Sequence, residues 1–348
     1  MKRFIQLHLL TSYPPANLNR DDTGRPKTAL VGEALRLRIS SQSLKRAWRT
    51  SDIGLTGLEG HLGVRTRRMG LEVFDALRAE GIPEKSAHEW ARKIAEQFGA
   101  LKKGNLKIEQ LAHIGPEERT AVMDLARVCA KEKREPSKEE LKLLRKPQEA
   151  VDIAMFGRML ASAPAYNVEA AVQVAHAFTV HKAAVEDDYF SAVDDLNDGS
   201  EDAGAAFIYE RGYGAGVFYL YLCINRELLK ENLGGDTALS NRALETLISA
   251  VTRVSPTGMQ NSFASRAYAS YALAEKGEQQ PRSLAQAFLK PVRATADLSL
   301  FDAAVAALER RYDNFNKVYG ACSDSHYMFN VESGEGSLTD LANFIKGD

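Results

Sequence analysis

What most limits the fold of this chain is a change of hydrophobic period along it. Residues 2–10 alternate, with Ile5, Leu7 and Leu9 on one side and Phe4, Gln6 and His8 on the other. That period of two marks a half-buried strand. Residues 217–225 alternate as well: Phe218, Leu220, Leu222 and Ile224 on one face, Val217, Tyr219, Tyr221 and Cys223 on the other. Between them, from residue 61 to 150, β-branched residues thin out, and 19 basic and 15 acidic side chains are interspersed in text of helical period. Trp90, Ile94 and Phe98 mark one amphipathic helix, Pro116 opens another carrying Val122, Leu125 and Cys129, and Ser137-Lys-Glu-Glu140 is a capping box for a third. Helical text resumes at Val151 and runs to about His181. Strands on both sides of a helical insertion are the organisation this pattern predicts.

The remaining punctuation refines it. Residues 11–32, rich in Pro, Asn, Asp and Gly, read as a long loop, a type that is often functional. A short strand around residues 35–39 leads to Ser40 or Ser41, either of which caps a helix with Leu44 and Trp48 inward. Residues 206–210 and 217–225 read as a β-hairpin joined by Arg-Gly-Tyr-Gly-Ala-Gly. A helix from near Arg226 stops at Gly234-Gly235. The steps of four and three through Phe301, Val305, Leu308, Tyr312, Phe315 and Tyr319 predict a core stripe rather than a platform for stacked bases.

Charge is the second informative feature. The net charge of −1 argues against a nucleic-acid protein until it is divided along the chain. Residues 1–50 hold ten Lys or Arg against three acids, whereas residues 186–202 hold eight acids and no Lys or Arg. Such polarity suits a basic groove for a polyanion, with complementary patches for self-association. Cys129, Cys223 and Cys322 are widely spaced among apolar or small neighbours and read as reduced, buried thiols. No signal peptide and no apolar run long enough to cross a bilayer is present, which predicts a cytoplasmic protein.

The run from Arg36 to Arg49 contains five positive charges and no acid. A strand feeding a Ser-capped helix presents free N–H groups and the positive dipole end at Ser40, Ser41 and Gln42, a geometry that favours phosphate. Lys45 and Arg49, one turn apart, extend the contact, with Arg36 and Arg38 of the strand as reserves. Phosphate contacts hold a nucleic acid without reading its sequence. A solvated basic helix is the bland reading of the same residues.

Other chemistry is thin. Asp21-Asp22, Asp187-Asp188 and Asp194-Asp195 invite a Mg²⁺ nuclease reading, but adjacent carboxylates diverge on most backbones, so capping or turn roles are favoured. His176 and His181 are five apart on a predicted helix, which does not place both on one metal. The glycine-rich segment 212–216 precedes a strand, so it reads as a mobile hairpin tip rather than a nucleotide cradle. No cofactor, metal ligand set or catalytic residue is predicted.

Several segments together resemble the CasC-type backbone subunit of the type I-E CRISPR Cascade, a RAMP family protein. They are Asn19-Arg-Asp-Asp22, Arg38-Ile-Ser-Ser-Gln-Ser-Leu-Lys-Arg-Ala-Trp-Arg49, Val151-Asp-Ile-Ala154, Gly157-Arg-Met159, Val193-Asp-Asp-Leu196, Gly216-Val-Phe-Tyr219 and Glu231-Asn-Leu-Gly-Gly235. The similarity covers residues 1–55 and 150–235 well; elsewhere it is general, apart from Arg65-Thr66.

The resemblance implies an α+β fold: a modified RRM or ferredoxin-like palm (residues 1–58, 151–196 and 218–348), a helical fingers insertion (59–150) and a protruding β-hairpin thumb (197–217). It further implies a non-enzymatic subunit that lines up head to tail along CRISPR RNA and presents the spacer to target DNA in antiviral defence. Arg20, Lys27, Ser40, Gln42, Lys45, Arg46 and Arg49 become guide contacts; Tyr166, Phe207 and Tyr209 fall in the regions of the family's base-displacing residues. Implied partners are the CRISPR RNA guide, neighbouring copies, the guide-end cap, the large and small subunits and the guide-processing endonuclease. Two other classes compete: a metal-dependent endoribonuclease using Asp21-Asp22, and a stand-alone RRM-like protein stacking bases on sheet aromatics, for which Phe4 and His8 are the only support.

Overall fold

The structure, a computed structural model, describes residues 2–147, 149–192 and 207–347. Strands in chain order are β1 (Phe4–Ala16), β2 (Thr28–Val31), β3 (Ala34–Ile39), β4 (Val64–Thr66), β5 (Ala112–Ile114), β6 (Val172–Val174), β7 (Ala177–Thr179), β8 (Glu186–Ala192), β9 (Phe207–Asn225), β10 (Ala269–Gly277) and β11 (Ser325–Asn330). The chain divides into two compact units. One comprises Met1–Ser51, Val174–Cys223 and Leu247–Asp348; the other comprises Asp52–Gln173 and Ile224–Thr246.

The first unit is built on a sheet of order β11-β10-β1-β9-β7-β3-β2, with β6 and β8 also paired to β9. β1 is central and runs antiparallel to β10 from Phe4↔Gly277 to Thr11↔Ala269, with a register shift after Leu10. Its alternation is real, yet both faces are buried: Ile5, Leu7 and Leu9, but also Gln6 and His8. The polar face is covered because helix Leu300–Tyr319 packs there through Phe301, Ala304, Val305 and Leu308, against Leu10, Tyr219, Tyr271 and Leu273.

The polar residues under that helix bond to one another, as burial requires. His8 Nδ1 lies 2.9 Å from the Tyr219 hydroxyl and His8 Nε2 lies 3.0 Å from Glu275 Oε1. Arg282 donates to the same oxygen at 2.7 Å. Gln6 Oε1 accepts from Arg282 N at 2.7 Å and from the Tyr221 hydroxyl at 3.0 Å. His8 is thus a core residue, unavailable for stacking on a base. The stripe on helix Leu300–Tyr319 also ends early: Tyr319 is 76% exposed and stacks on Phe315 at 5.8 Å.

Other expectations change in the same unit. β1 continues through Pro14 and Pro15 to Ala16, so the loop is shorter than residues 11–32 suggest. Proline's fixed φ suits an extended chain wherever no N–H is needed. The segment Arg211 to Gly216 is not a hairpin tip, because β9 runs unbroken through it and pairs with β8 from Glu186↔Tyr213 to Ala192↔Phe207. Its glycines serve close packing: a Cβ at Gly214 would lie 2.7 Å from Leu37 Cδ1 and 2.9 Å from Ala184 O. Residues 193–206, which take in Asp194-Asp195 and the part of the thumb range 197–217 that precedes β9, lie outside the described residues. Asp187 and Asp188 are strand residues of β8, not turn caps.

The second unit is mainly helical. Helices Met69–Ala79, Glu84–Ala95 and Pro116–Glu132 bury Val73, Leu77, Trp90, Ile94, Val122, Leu125 and Cys129 in one cluster that also takes Phe98. The antiparallel pair β4–β5 stands among them. The capping box forms, with Ser137 N donating to Glu140 Oε2 at 2.8 Å and Glu140 N to Ser137 Oγ at 3.4 Å, but no helix follows. Leu143 and Leu144, which follow outside any helix, are both buried. After Val151–Phe156 the helical text also fails: residues 157–181 form turns, a 3₁₀ turn at Pro164–Tyr166, β6 and β7. His176 and His181 are consequently not on a helix.

Candidate nucleic-acid interface

The site is assembled around the junction of β3 and helix α1 (Ser41–Arg49). Ser40 is the N-cap, its Oγ accepting from Ser43 N at 3.3 Å. Leu44, Ala47 and Trp48 are buried, Gln42 and Arg46 are exposed, and Lys45 and Arg49 are half-buried along the flank. The helical period separates these roles: positions 42, 45, 46 and 49 share the outward arc while 44 and 48 share the inward one. Burial holds the Lys45 ammonium below its ordinary pKa.

Two asparagines fix the preceding loop to this junction. Asn19 Oδ1 accepts from Ser40 N at 2.8 Å, and Asn19 O accepts from Lys27 N at 2.8 Å. Asn17, fully buried, donates through Nδ2 to Gly24 O and to Gly212 O of β9, both at 2.9 Å. Asp21 closes the loop from within, its Oδ1 accepting from Thr23 N at 2.9 Å, Thr23 Oγ1 at 2.8 Å and Arg25 N at 3.0 Å. These bonds, chiefly that from the Thr23 hydroxyl, hold its carboxyl below the ordinary range. Hydrogen bonds of its asparagine side chains and of its aspartate thus tie the loop to itself and to its neighbours.

Between loop and helix lies an open groove of about 590 Å³, walled by Arg20, Asp22, Ser43, Arg46, Thr50 and Thr257. Gly258 makes its floor: a Cβ there would sit 2.3 Å from Leu18 O. Neither Arg20 nor Arg46 has a carboxylate partner among the described residues. Lys27 belongs to a neighbouring cluster in which Arg38 Nη1 lies 2.7 Å from His176 Nδ1. Burial, then the charges of Arg38 and Lys27, lower the pKa of His176.

Arg36 does not join them. It is fully buried, donating to Thr179 O at 3.0 Å and to Phe288 O at 2.8 Å, so it ties sheet to core and is no reserve for phosphate. The structure therefore brings Arg20, Ser40, Gln42, Lys45, Arg46 and Arg49 to one junction, with Lys27 beside Arg38. Tyr209 lies on β9, 48% exposed, with Phe190 of β8 at 5.8 Å and the Arg211 guanidinium 6.0 Å over its ring. Phe207 opens β9, and its side chain lies outside the description. Tyr166 sits in the helical unit, packed on that unit's core. Sequence reasoning missed the loop-fixing bonds of Asn17 and Asn19, the pairing of Arg38 with His176, and the Thr257-Gly258 wall; the asparagines flanking a Pro/Gly-rich stretch were the available signal.

Among the described residues, no group of three or more His, Cys, Asp and Glu is placed to hold a metal, and no helix is long and apolar enough to cross a membrane. Cys129 and Cys223 are buried, the latter thiol pushed up to about 11 by burial, while Cys322 is only half-buried.

Fold and site together define an α+β protein with a helical insertion and an arginine-walled groove at a strand–helix junction. Residues 5–344 match the model of one family, described as CT1975-like protein, and the chain belongs to that family. A chain of a solved CRISPR RNA-guided surveillance complex, pre-nicking, is similar over 99% of both chains, with 28% identity and a TM-score of 0.84. A chain of a second CRISPR RNA-guided surveillance complex shares the fold, with 24% identity, a TM-score of 0.72 and coverage of 97% of this chain and 94% of that one. A search of curated proteins found no match.

Proposed function

We propose that this chain is the guide-RNA-binding backbone subunit of a type I-E Cascade surveillance complex. The observation that carries the reading is the groove in which Arg20 and Arg46 stand without carboxylate partners beside a loop that Asn17, Asn19 and Asp21 hold in place. Preorganised cations of this kind suit a phosphate backbone, and sequence specificity falls to base pairing by the guide. In this reading Arg20, Lys27, Lys45, Arg46 and Arg49 contact guide phosphates. Gln42 and the first-turn N–H groups of α1 add hydrogen bonds, and Ser40, whose oxygen already accepts, keeps its O–H to donate.

Copies associate head to tail, an interface that does not close on itself, so the RNA sets the length of the assembly. Tyr166, Phe207 and Tyr209 are the base-displacing side chains, and the partners are target DNA, reached through the guide, and the other Cascade subunits of the cytoplasm. In this reading the subunit is not an enzyme, and Asp21, the best nuclease candidate, serves its own loop, its Oδ1 accepting three hydrogen bonds there.

Co-expression with a repeat-spacer transcript and the partner subunits, followed by size-exclusion chromatography and nucleic-acid extraction, tests this. An RNA-containing, multi-copy assembly is expected; a monomer free of nucleic acid would overturn the reading. In salt-titrated binding, Arg20→Ala with Arg46→Ala weakens all guides about equally and flattens the salt dependence by roughly 0.7 per lost contact.

A further inference from the structure

The groove between loop and α1 contains one group that a purely phosphate-binding site has no use for. Asp22 stands in its wall with Arg20 and Arg46, and all three are exposed. Among the described residues no ion pair joins them, and the Asp22 carboxylate accepts no hydrogen bond. Its neighbour differs: Asp21 Oδ1 is filled by Thr23 N, Thr23 Oγ1 and Arg25 N. Asp21 N also donates to Arg25 O at 2.9 Å and Gly24 N to Asp21 O at 3.3 Å, so a closed turn carries Asp22 into the groove wall.

A bare carboxylate there repels any phosphate, because like charges do. It gains only from a donor. The phosphate, ester and ring oxygens of a nucleic-acid backbone all accept, and the ribose 2′-hydroxyl is the one backbone group with a proton to give. Base N–H groups also donate, but they differ from one nucleotide to the next, whereas a chain that holds its guide without reading sequence meets a 2′-hydroxyl at every step. The neutral walls do not make this distinction. The hydroxyls of Ser43 and Thr257 can bond a phosphate as readily as a sugar, and Thr50 Oγ1 donates its proton to Arg46 O at 2.8 Å.

We propose that Asp22 reads the sugar: its carboxylate accepts a hydrogen bond from a ribose 2′-hydroxyl of the guide and thereby selects RNA over DNA. The assignment rests on the guide-binding reading of the groove and divides the labour within it. Arg20 and Arg46 hold phosphate, which RNA and DNA share, and Asp22 holds the group that only RNA has. Of the two adjacent aspartates, one shapes the loop and the other faces the ligand.

Binding of the purified full-length chain to single strands of one mixed sequence, made as RNA, 2′-fluoro RNA and DNA, tests it. EDTA is present so that no metal bridges carboxylate and phosphate. The 2′-fluoro strand keeps the sugar pucker of RNA and lacks the donor, which separates hydrogen bonding from sugar shape. The parent chain binds RNA roughly tenfold more tightly than either other strand, the scale of one hydrogen bond to a charged group. In Asp22→Ala the preference is lost, RNA affinity falling to about that of the other strands. Asp22→Asn, which keeps an acceptor oxygen without the charge, retains part of it. Arg46→Ala weakens every strand by the same factor and leaves the ratios intact, so it reports on the groove alone. A parent that does not separate RNA from 2′-fluoro RNA, or an Asp22→Ala ratio equal to the parent's, overturns the role of Asp22 while the groove stands. Arg46→Ala without effect on any strand overturns the groove and the role of Asp22 with it.

Discussion

Arg36 and Arg46 flank Ser40 in one basic run and have opposite fates. Arg36, on β3, is sealed in the core by the carbonyls of Thr179 and Phe288, and its Nε has no partner. Arg46, six residues past the cap, is exposed beside Arg20 in the groove. Arg36 of the strand thus holds the fold, and Arg46 of the helix is free to hold something else. The difference is one of surroundings rather than residue type: two core carbonyls cover the Arg36 guanidinium, while that of Arg46 lies on the outward arc of α1. A run of like charges is therefore not one functional unit.

Mutations separate the halves. Trp48→Ala, on the buried side of α1, should cost about 3–5 kcal/mol through the cavity it opens. Guide binding should fall only in proportion to the unfolded fraction, as thermal melts and binding at low temperature would reveal. Arg36→Ala should cost about 2–4 kcal/mol, since two buried carbonyls lose their donor. Normal affinity in the protein that remains folded would confirm the division; an affinity loss with unchanged stability would break it.

Lys45→Ala with Arg49→Ala should do the opposite: leave the melting temperature nearly unchanged and lower guide affinity for all sequences, with the salt slope reduced by about 0.7 per contact. An unchanged slope would make the flank of α1 a solvated face. Asp21→Ala with Asp22→Ala should loosen the loop and weaken guide binding modestly, without removing any Mg²⁺-dependent cleavage of complementary RNA. Loss of such cleavage would promote the nuclease reading.

The smallest effect is on pH dependence. Burial lowers the pKa of His8 in the folded protein, while the unfolded chain takes up a proton near its ordinary 6.5. Stability should be full above that value and decline as pH falls through it. Burial pushes Glu275 up, but hydrogen bonds from His8 and Arg282 outweigh it, so a further loss follows below its ordinary 4.5. His8→Gln should reduce the first decline, not abolish it, because His176 and His181 shift in the same direction. Arg46→Ala should leave this acid limb unchanged in denaturation curves, since Arg46 is not among the groups that shift His8 or Glu275.

Local text determined what local forces decide. The Ser40 cap, the inward Leu44 and Trp48, the helix opened by Pro116 and the stop at Gly234-Gly235 all rest on hydrogen bonds and side-chain spacings within a turn or two, which a sequence displays directly. So did the basic character of α1. The strand pattern of β1 was also legible, but not that both its faces are buried, because helix Leu300–Tyr319 arrives from the far end of the chain. The glycines of residues 212–216 resemble a turn in text and serve close packing against Leu37 and Ala184 in space. The capping box at Ser137 forms locally, but no helix follows it, and Leu143 and Leu144 reach the core from irregular chain. Which arginine is sealed and which is offered was decided by contacts between residues distant in sequence. Periodicity reports a segment's preference for its own shape; only tertiary packing determines which of its faces remains in water.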